Sequence, residues 1–205
     1  AGTDQIAHGD ALGQLFIRHL ELRQDLYNRS IPAHQAGIDQ GGELPGYSWV
    51  PPGIPGYTPQ YVDFKDMTQA QRNEEAKKLL AEAGYGPDNP LEVELLYNTS
   101  DNHKKIAVAV AAMWKQVLGV EASVEPMERK AWLDAFYAGT WDVFADNLVG
   151  DFAGAETFLA YMRPSADPGY HWVKPEYDAQ MDLAATMPDA ASRNVELAKA
   201  EKILL

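Results

Sequence analysis

An α/β fold is predicted by three observations. Between Thr68 and Val149, helix-period and strand-period segments alternate three times. Glycines 84, 119 and 139 close the three helices, and only helix-period segments follow. Strands separated by helices require crossover connections, so the strands are expected to be at least partly parallel.

The elements follow in order. From Ala11 to about Arg29, Leu12, Leu15, Phe16, His19, Leu20, Leu22 and Leu26 recur at helical spacing, with Asp10 as N-cap. Between Ser30 and Tyr61 the chain turns to Pro and Gly, and the prolines fix φ and remove donors, so no regular element is expected there. This stretch carries Tyr47, Trp49, Tyr57 and Tyr61, rings that either line a cleft or anchor the loop to the core. Thr68 then caps a helix in which Glu74 and Glu75 precede Lys77 and Lys78, and Gly84 ends it. Leu91, Val93, Leu95 and Tyr97 alternate with Glu92, Glu94 and Leu96 as a first strand. A helix over 101–118 presents Ile106, Val110, Met113, Trp114 and Val117 on one face. Val120, Ala122 and Val124 alternate with Glu121, Ser123 and Glu125 as a second strand. A helix from about Glu128 to Ala138 buries Trp132, Leu133 and Phe136, and a third strand runs from Thr140 to about Val149. Helices are expected over about 155–163, 175–187 and 189–205. The last, RNVELAKAEKILL, stops inside its apolar period, as in a piece of a longer protein. The expected organisation is an N-terminal helix and atypical segment over 1–42, a Pro/Gly/aromatic connector over 43–67, and an α/β lobe over 68–205 that is truncated at its C-terminal end.

Composition narrows the function. With 205 residues, 46% of them apolar and 23% charged, the chain can bury one sizeable core or two small ones. A formal charge of −13 spread along the sequence works against nucleic acid and anionic membrane surfaces as partners. Cysteine is absent, which removes disulfides, thiol nucleophiles and thiolate metal sites. No apolar run reaches the ~20 residues that span a bilayer. The histidines at 8, 19, 34, 103 and 171 include no i, i+4 pair, and no nucleophile-elbow, phosphate-loop or zinc-protease motif occurs. Neither a metal nor a cofactor is expected. An enzyme reading would pair Asp142 with Asp146, which share one face of a regular strand, whereas Asp151 falls on the other.

Three stretches of this order, RNEEAKKLLAEAGYG, YNTSDNHKKIAVAVAAMWKQVLGV and GTWDVFADNLVGDFAGAETFL, resemble the periplasmic oligopeptide-binding proteins of ABC importers, specifically their C-terminal lobe. The resemblance runs from about Glu43 to Glu201, and residues 1–42 stand outside it. It implies one lobe of a two-lobed periplasmic-binding-protein fold, with a mixed sheet flanked by helices. Such a lobe would close with a second one on a short extended peptide held through its backbone. The implied partners are that peptide and the permease subunits of the importer. The implied state is a monomeric, non-catalytic protein, periplasmic or lipid-anchored outside a Gram-positive cell. By the same resemblance Asp151 takes the position that pairs with the ligand's α-amino group. His103 matches a histidine near the ligand's C-terminal end, in a first helical turn where free N–H groups favour an anion. Leu148 stands where an aromatic is expected, and with Asn147 and Val149 it completes the expected ligand contacts. Phe136 and Ala145 stand where arginines would hold the ligand's carboxylate, which leaves open a non-peptide solute such as a nickel complex, heme or an oligosaccharide.

Overall fold

The computed structural model describes residues 46–145, 150–166 and 168–205. The helix expected over 11–29 and the strand residues Asp146, Asn147, Leu148 and Val149 lie outside the described residues. Helix α1 (Gln69–Glu82) starts in a capping box. The Thr68 hydroxyl accepts the Gln71 N–H at 3.3 Å, and the Gln71 side chain accepts the Thr68 N–H at 2.8 Å. Its pairs Glu74–Lys77 (2.9 Å) and Glu75–Lys78 (3.5 Å) are solvent-exposed and worth little.

Strands β1 (Glu92–Asn98), β2 (Glu121–Met127) and β3 (Val143–Ala145) form one sheet in the order β2-β1-β3. Both pairings are parallel, with Leu95 opposite Val124 on one side and Val143 on the other. All three described strands are thus parallel. Helix α2 (Asp101–Leu118) joins β1 to β2, and helix α3 (Arg129–Ala138) joins β2 to β3. Both end on a left-handed glycine, Gly119 at φ 71° and Gly139 at φ 66°. Ser100, in extended conformation, precedes helix α2 at the N-cap position without a side-chain cap hydrogen bond.

The strand expected from Thr140 starts only at Val143, for a local reason. The Thr140 N–H closes the end of α3 on the Ala135 carbonyl at 3.2 Å, so it cannot join a ladder. Asp142 then uses its side chain in place of its backbone, its Oδ2 accepting the Glu94 N–H at 3.0 Å.

Two cores result. The first packs α1 and α2 on one sheet face through Ala76, Leu80, Leu91, Val93, Leu95, Tyr97, Ala107, Val110, Trp114, Val120 and Val143. The opposite face carries α3, whose Trp132 and Phe136 rings stack on Phe144 at 4.3 and 4.7 Å between centroids. Leu96, beside Phe144 in the register, is fully buried. Simple alternation groups Leu96 with the solvated Glu92 and Glu94. Here α3 covers the carboxyl half of that face, while the amino half stays open.

The second core is helical. It joins α4 (Ala155–Ala160), α5 (Pro175–Ala185, with Pro at its first position) and α6 (Ala190–Leu204) to the connector residues Val50 and Tyr57. The α4 helix stops three residues before the predicted end. The Met162 and Arg163 N–H groups tighten there to i−3 carbonyls, and Arg163 turns its guanidinium onto Asp178 (3.1 Å) and Asp182 (2.8 Å) of α5. The connector 46–67 has turns but no helix or strand, as its prolines require.

Candidate functional site

In an open α/β sheet, ligands bind beyond the carboxyl ends of the strands, where neighbouring strands send their connections to opposite faces. The strand order turns back at β1: α2 carries the chain from β1 to β2 on one face, and α3 carries it from β2 back past β1 to β3 on the other. The Thr99 N–H donates to the Met127 carbonyl at 3.0 Å and ties the carboxyl ends of β1 and β2 together. His103, half-buried in the first turn of α2, hydrogen-bonds through Nδ1 to the Asn98 side-chain oxygen. An amide oxygen can only accept, so Nδ1 is the donor in this pair.

Asp151 follows β3 and is exposed. Its backbone N–H donates to Thr157 Oγ1 at 3.0 Å, and Thr157 is buried, so the Asp151 backbone is pinned to the first turns of α4. Its carboxylate makes no ion pair among the described residues. Gly150 has no room for a side chain. A Cβ there would lie 2.6 Å from the Phe158 ring and 3.0 Å from the Thr157 methyl group. In chain order His103 follows β1 and Asp151 follows β3, and these two strands are adjacent and parallel. Asn147, Leu148 and Val149, expected between β3 and Asp151, lie outside the described residues.

Phe136 and Ala145 offer no polar atom to a ligand. Phe136 is 3% exposed, enclosed by Trp132, Phe144, Trp141 and the edge of Tyr170, whose ring lies 5.1 Å away at 85°. Ala145 packs against the α2 side of the sheet. Three of the four connector rings anchor the loop: Trp49 Nε1 donates to the Phe158 carbonyl at 2.9 Å, Tyr57 is buried, and the Tyr47 hydroxyl accepts from Arg72 at 3.0 Å, whereas Tyr61 is exposed.

Of the acid–base pair expected from the sequence, only Asp142 lies among the described residues. Its Oδ2 accepts the Glu94 N–H toward the amino end of β1, and Asp146 lies outside the described residues. An open cleft of about 620 Å³ adjoins Asp142, lined by Glu92, Glu94, Glu121 and Ser123. Among the described residues no three His, Asp or Glu side chains are placed to share a metal, and no helix is long and apolar enough to cross a membrane.

One polar group escaped the sequence reading. Glu201 is fully buried and accepts three hydrogen bonds, from the Val50 N–H (2.7 Å), the Tyr57 hydroxyl (2.6 Å) and the Gln60 N–H (2.7 Å). The Tyr57 hydroxyl is pushed to a much higher pKa by burial and by this carboxylate. The available signal was periodicity: Glu201 falls on the stripe Leu197, Ala200, Leu204 that α6 buries.

Residues 35–170 match the family described as bacterial extracellular solute-binding proteins, family 5 Middle. The periplasmic murein peptide-binding protein MppA of Escherichia coli is 40% identical over 165 residues, which is 80% of this chain and 31% of that protein. The periplasmic oligopeptide-binding protein OppA of Salmonella typhimurium is 42% identical over 168 residues, 82% of this chain and 31% of that protein. The chain therefore spans about 31% of the length of these curated relatives. Among solved structures, the unliganded open form of MppA matches with a TM-score of 0.84 at 36% identity, covering 91% of this chain and 36% of that one. Haemophilus influenzae OppA in complex with RPPGFSPFR matches with a TM-score of 0.81 at 35% identity, covering 93% and 37%. The fold is that of the two-lobed periplasmic binding proteins, of which this chain carries part. With a family match over most of its length and this degree of likeness, the chain belongs to the bacterial extracellular solute-binding proteins, family 5.

Proposed function

We propose that this chain is the ligand-binding lobe of a peptide-capturing protein, and that Asp151 pairs with the α-amino group of a short peptide. The observation that carries the reading is Asp151 itself. It is an exposed carboxylate without an ion pair among the described residues, pinned by its backbone to the buried Thr157 and following β3 in the chain. A carboxylate facing an ammonium gains about 1.5–3 kcal/mol net, enough to fix which end of a peptide enters. The ligand backbone pairs with the segment Asn147, Leu148 and Val149, which gives affinity without regard to side-chain identity. His103 contributes at the far end of the ligand. The protein works as a monomer in the periplasm or on a lipid anchor, delivers its closed form to importer permease subunits, and carries out no chemistry.

A second reading, a non-peptide solute in the same fold, is favoured by the sealed aromatic surroundings of Phe136 and by Ala145, which leave no cation at those positions for a ligand carboxylate. Calorimetric titration of the intact protein with a tripeptide, its N-acetylated form and its C-amidated form separates the two. The proposal expects acetylation to weaken binding at least about tenfold and amidation to change it little. Tight binding of heme, a nickel complex or an oligosaccharide with no peptide binding would establish the second reading, and turnover of any ligand would end the non-enzymatic one.

A further inference from the structure

Glu201 belongs to no part of the ligand reading, yet it is the most completely enclosed carboxylate among the described residues, and its three donors all come from one loop. That loop runs from Tyr47 to Val62. It is closed at its base by the Val62 N–H on the Tyr47 carbonyl at 2.9 Å and held again where the Asn194 side chain donates to the Gly56 carbonyl at 2.9 Å. It has no helix or strand of its own, so its shape depends on these external bonds. The loop also reaches the other way. Trp49, next to the fastened Val50, donates its indole N–H to the carbonyl of Phe158 in α4. The Phe158 ring in turn lies against Gly150, and the neighbouring Thr157 hydroxyl accepts the Asp151 N–H.

We propose that Glu201 and Trp49 are positioning residues: Glu201 fastens the 47–62 loop as a strap, and the strap, through Trp49 and Phe158, fixes the Gly150–Asp151 turn. The chain of contacts is Glu201 to Val50, Trp49 to Phe158, and Phe158 and Thr157 to Gly150 and Asp151, with each link a hydrogen bond or a contact too close to admit a methyl group. Two carboxylate oxygens accepting from two backbone amides and one hydroxyl satisfy every donor presented to them. A glutamine of the same shape would turn an NH2 group toward at least one of those donors. The inference rests on the proposed role of Asp151 only for its purpose. The test reads backbone amides, so its failure would leave the ligand reading standing.

The experiment is residue-resolved hydrogen exchange on the 205-residue chain and three variants. In Glu201→Gln, exchange at Val50 or Gln60, at the Trp49 indole N–H and at the Asp151 amide rises at least about tenfold, while β1 amides keep their protection. In Trp49→Phe, which breaks one link and leaves the Glu201 bonds, Asp151 exchanges faster but Val50 and Gln60 do not. Tyr57→Phe, which removes one donor and no backbone bond, gives a smaller rise at Val50 and Gln60 and serves as the reporter should Glu201→Gln fail to fold. Unchanged Asp151 protection in Trp49→Phe overturns the proposal. So does a rise of equal size across β1 in Glu201→Gln, which would make Glu201 a general stabiliser and not the fastening of a strap.

Discussion

Gly169 sits in a single 3-10 turn, Pro168–Tyr170, that packs against α3, and its substitution by alanine tests the aromatic core directly. A Cβ at Gly169 would stand 2.0, 2.3 and 2.6 Å from Cε1, Cδ1 and Cζ of Phe136, where carbon atoms normally rest about 3.5–4.0 Å apart. The ring has no free direction in which to retreat, because Trp132, Phe144, Trp141 and Tyr170 surround it and it is 3% exposed. Overpacking of this kind costs about 1–3 kcal/mol, and a methyl group more than 1 Å inside contact distance of a held ring belongs at the upper end. Urea denaturation of Gly169→Ala should therefore show a lower midpoint at unchanged slope. Phe136→Leu frees volume at the same place and costs about 1–3 kcal/mol alone. In the double variant the two costs should fall short of their sum by about 1 kcal/mol or more, since leucine accepts the new methyl. A neutral Gly169→Ala, or strictly additive costs, would refute the claim that Phe136 is a fixed core ring and reopen it as a ligand contact.

Thr68→Ala removes the capping box of α1 and should cost about 1 kcal/mol by the same denaturation assay, with Thr68→Ser nearly neutral. Acid should also weaken the helical core. The Ser192 backbone N–H on Asp189 holds that carboxyl below its usual range, and Lys199 and Gln180 do the same for Glu196. Folded pKa values lowered in this way give stability that is complete above about pH 5, clear of the unfolded values near 3.9 and 4.3, and that is lost as pH falls through the folded values. Asp189→Asn keeps a capping side chain without the titration, so its urea midpoint should fall less than that of the wild type between neutral pH and about pH 3.

The parallel α/β unit was legible because each element agrees with its neighbours. Thr68 and Gly84 bound one helix, Gly119 and Gly139 end the next two, and Val93, Leu95 and Tyr97 alternate where β1 buries one face. What escaped was tertiary. Leu96 reads as a solvated strand position because nothing local announces that α3 lies across it, and Thr140 reads as a strand residue although the end of α3 has claimed its N–H. Glu201 falls on the apolar stripe of its helix, but nothing local says what would satisfy a carboxylate there. Only the loop folding back across 141 to 151 residues of chain gives it three donors. Of the site, the placement of Asp151 and His103 after adjacent parallel strands follows from the strand order, whereas their roles came from resemblance and not from periodicity.

The pairing of Asp151 with a ligand's α-amino group is tested most directly by a thermodynamic cycle: wild-type protein and Asp151→Asn, each titrated with one peptide and its N-acetylated form. Losing a charge-assisted hydrogen bond of about 1.5–3 kcal/mol should cut the wild-type preference for the free amine by about ten- to a hundredfold, with the acetylated peptide bound almost equally by both proteins. The same preference for the free amine in wild type and Asp151→Asn would contradict the account, because the amine would then be recognised elsewhere.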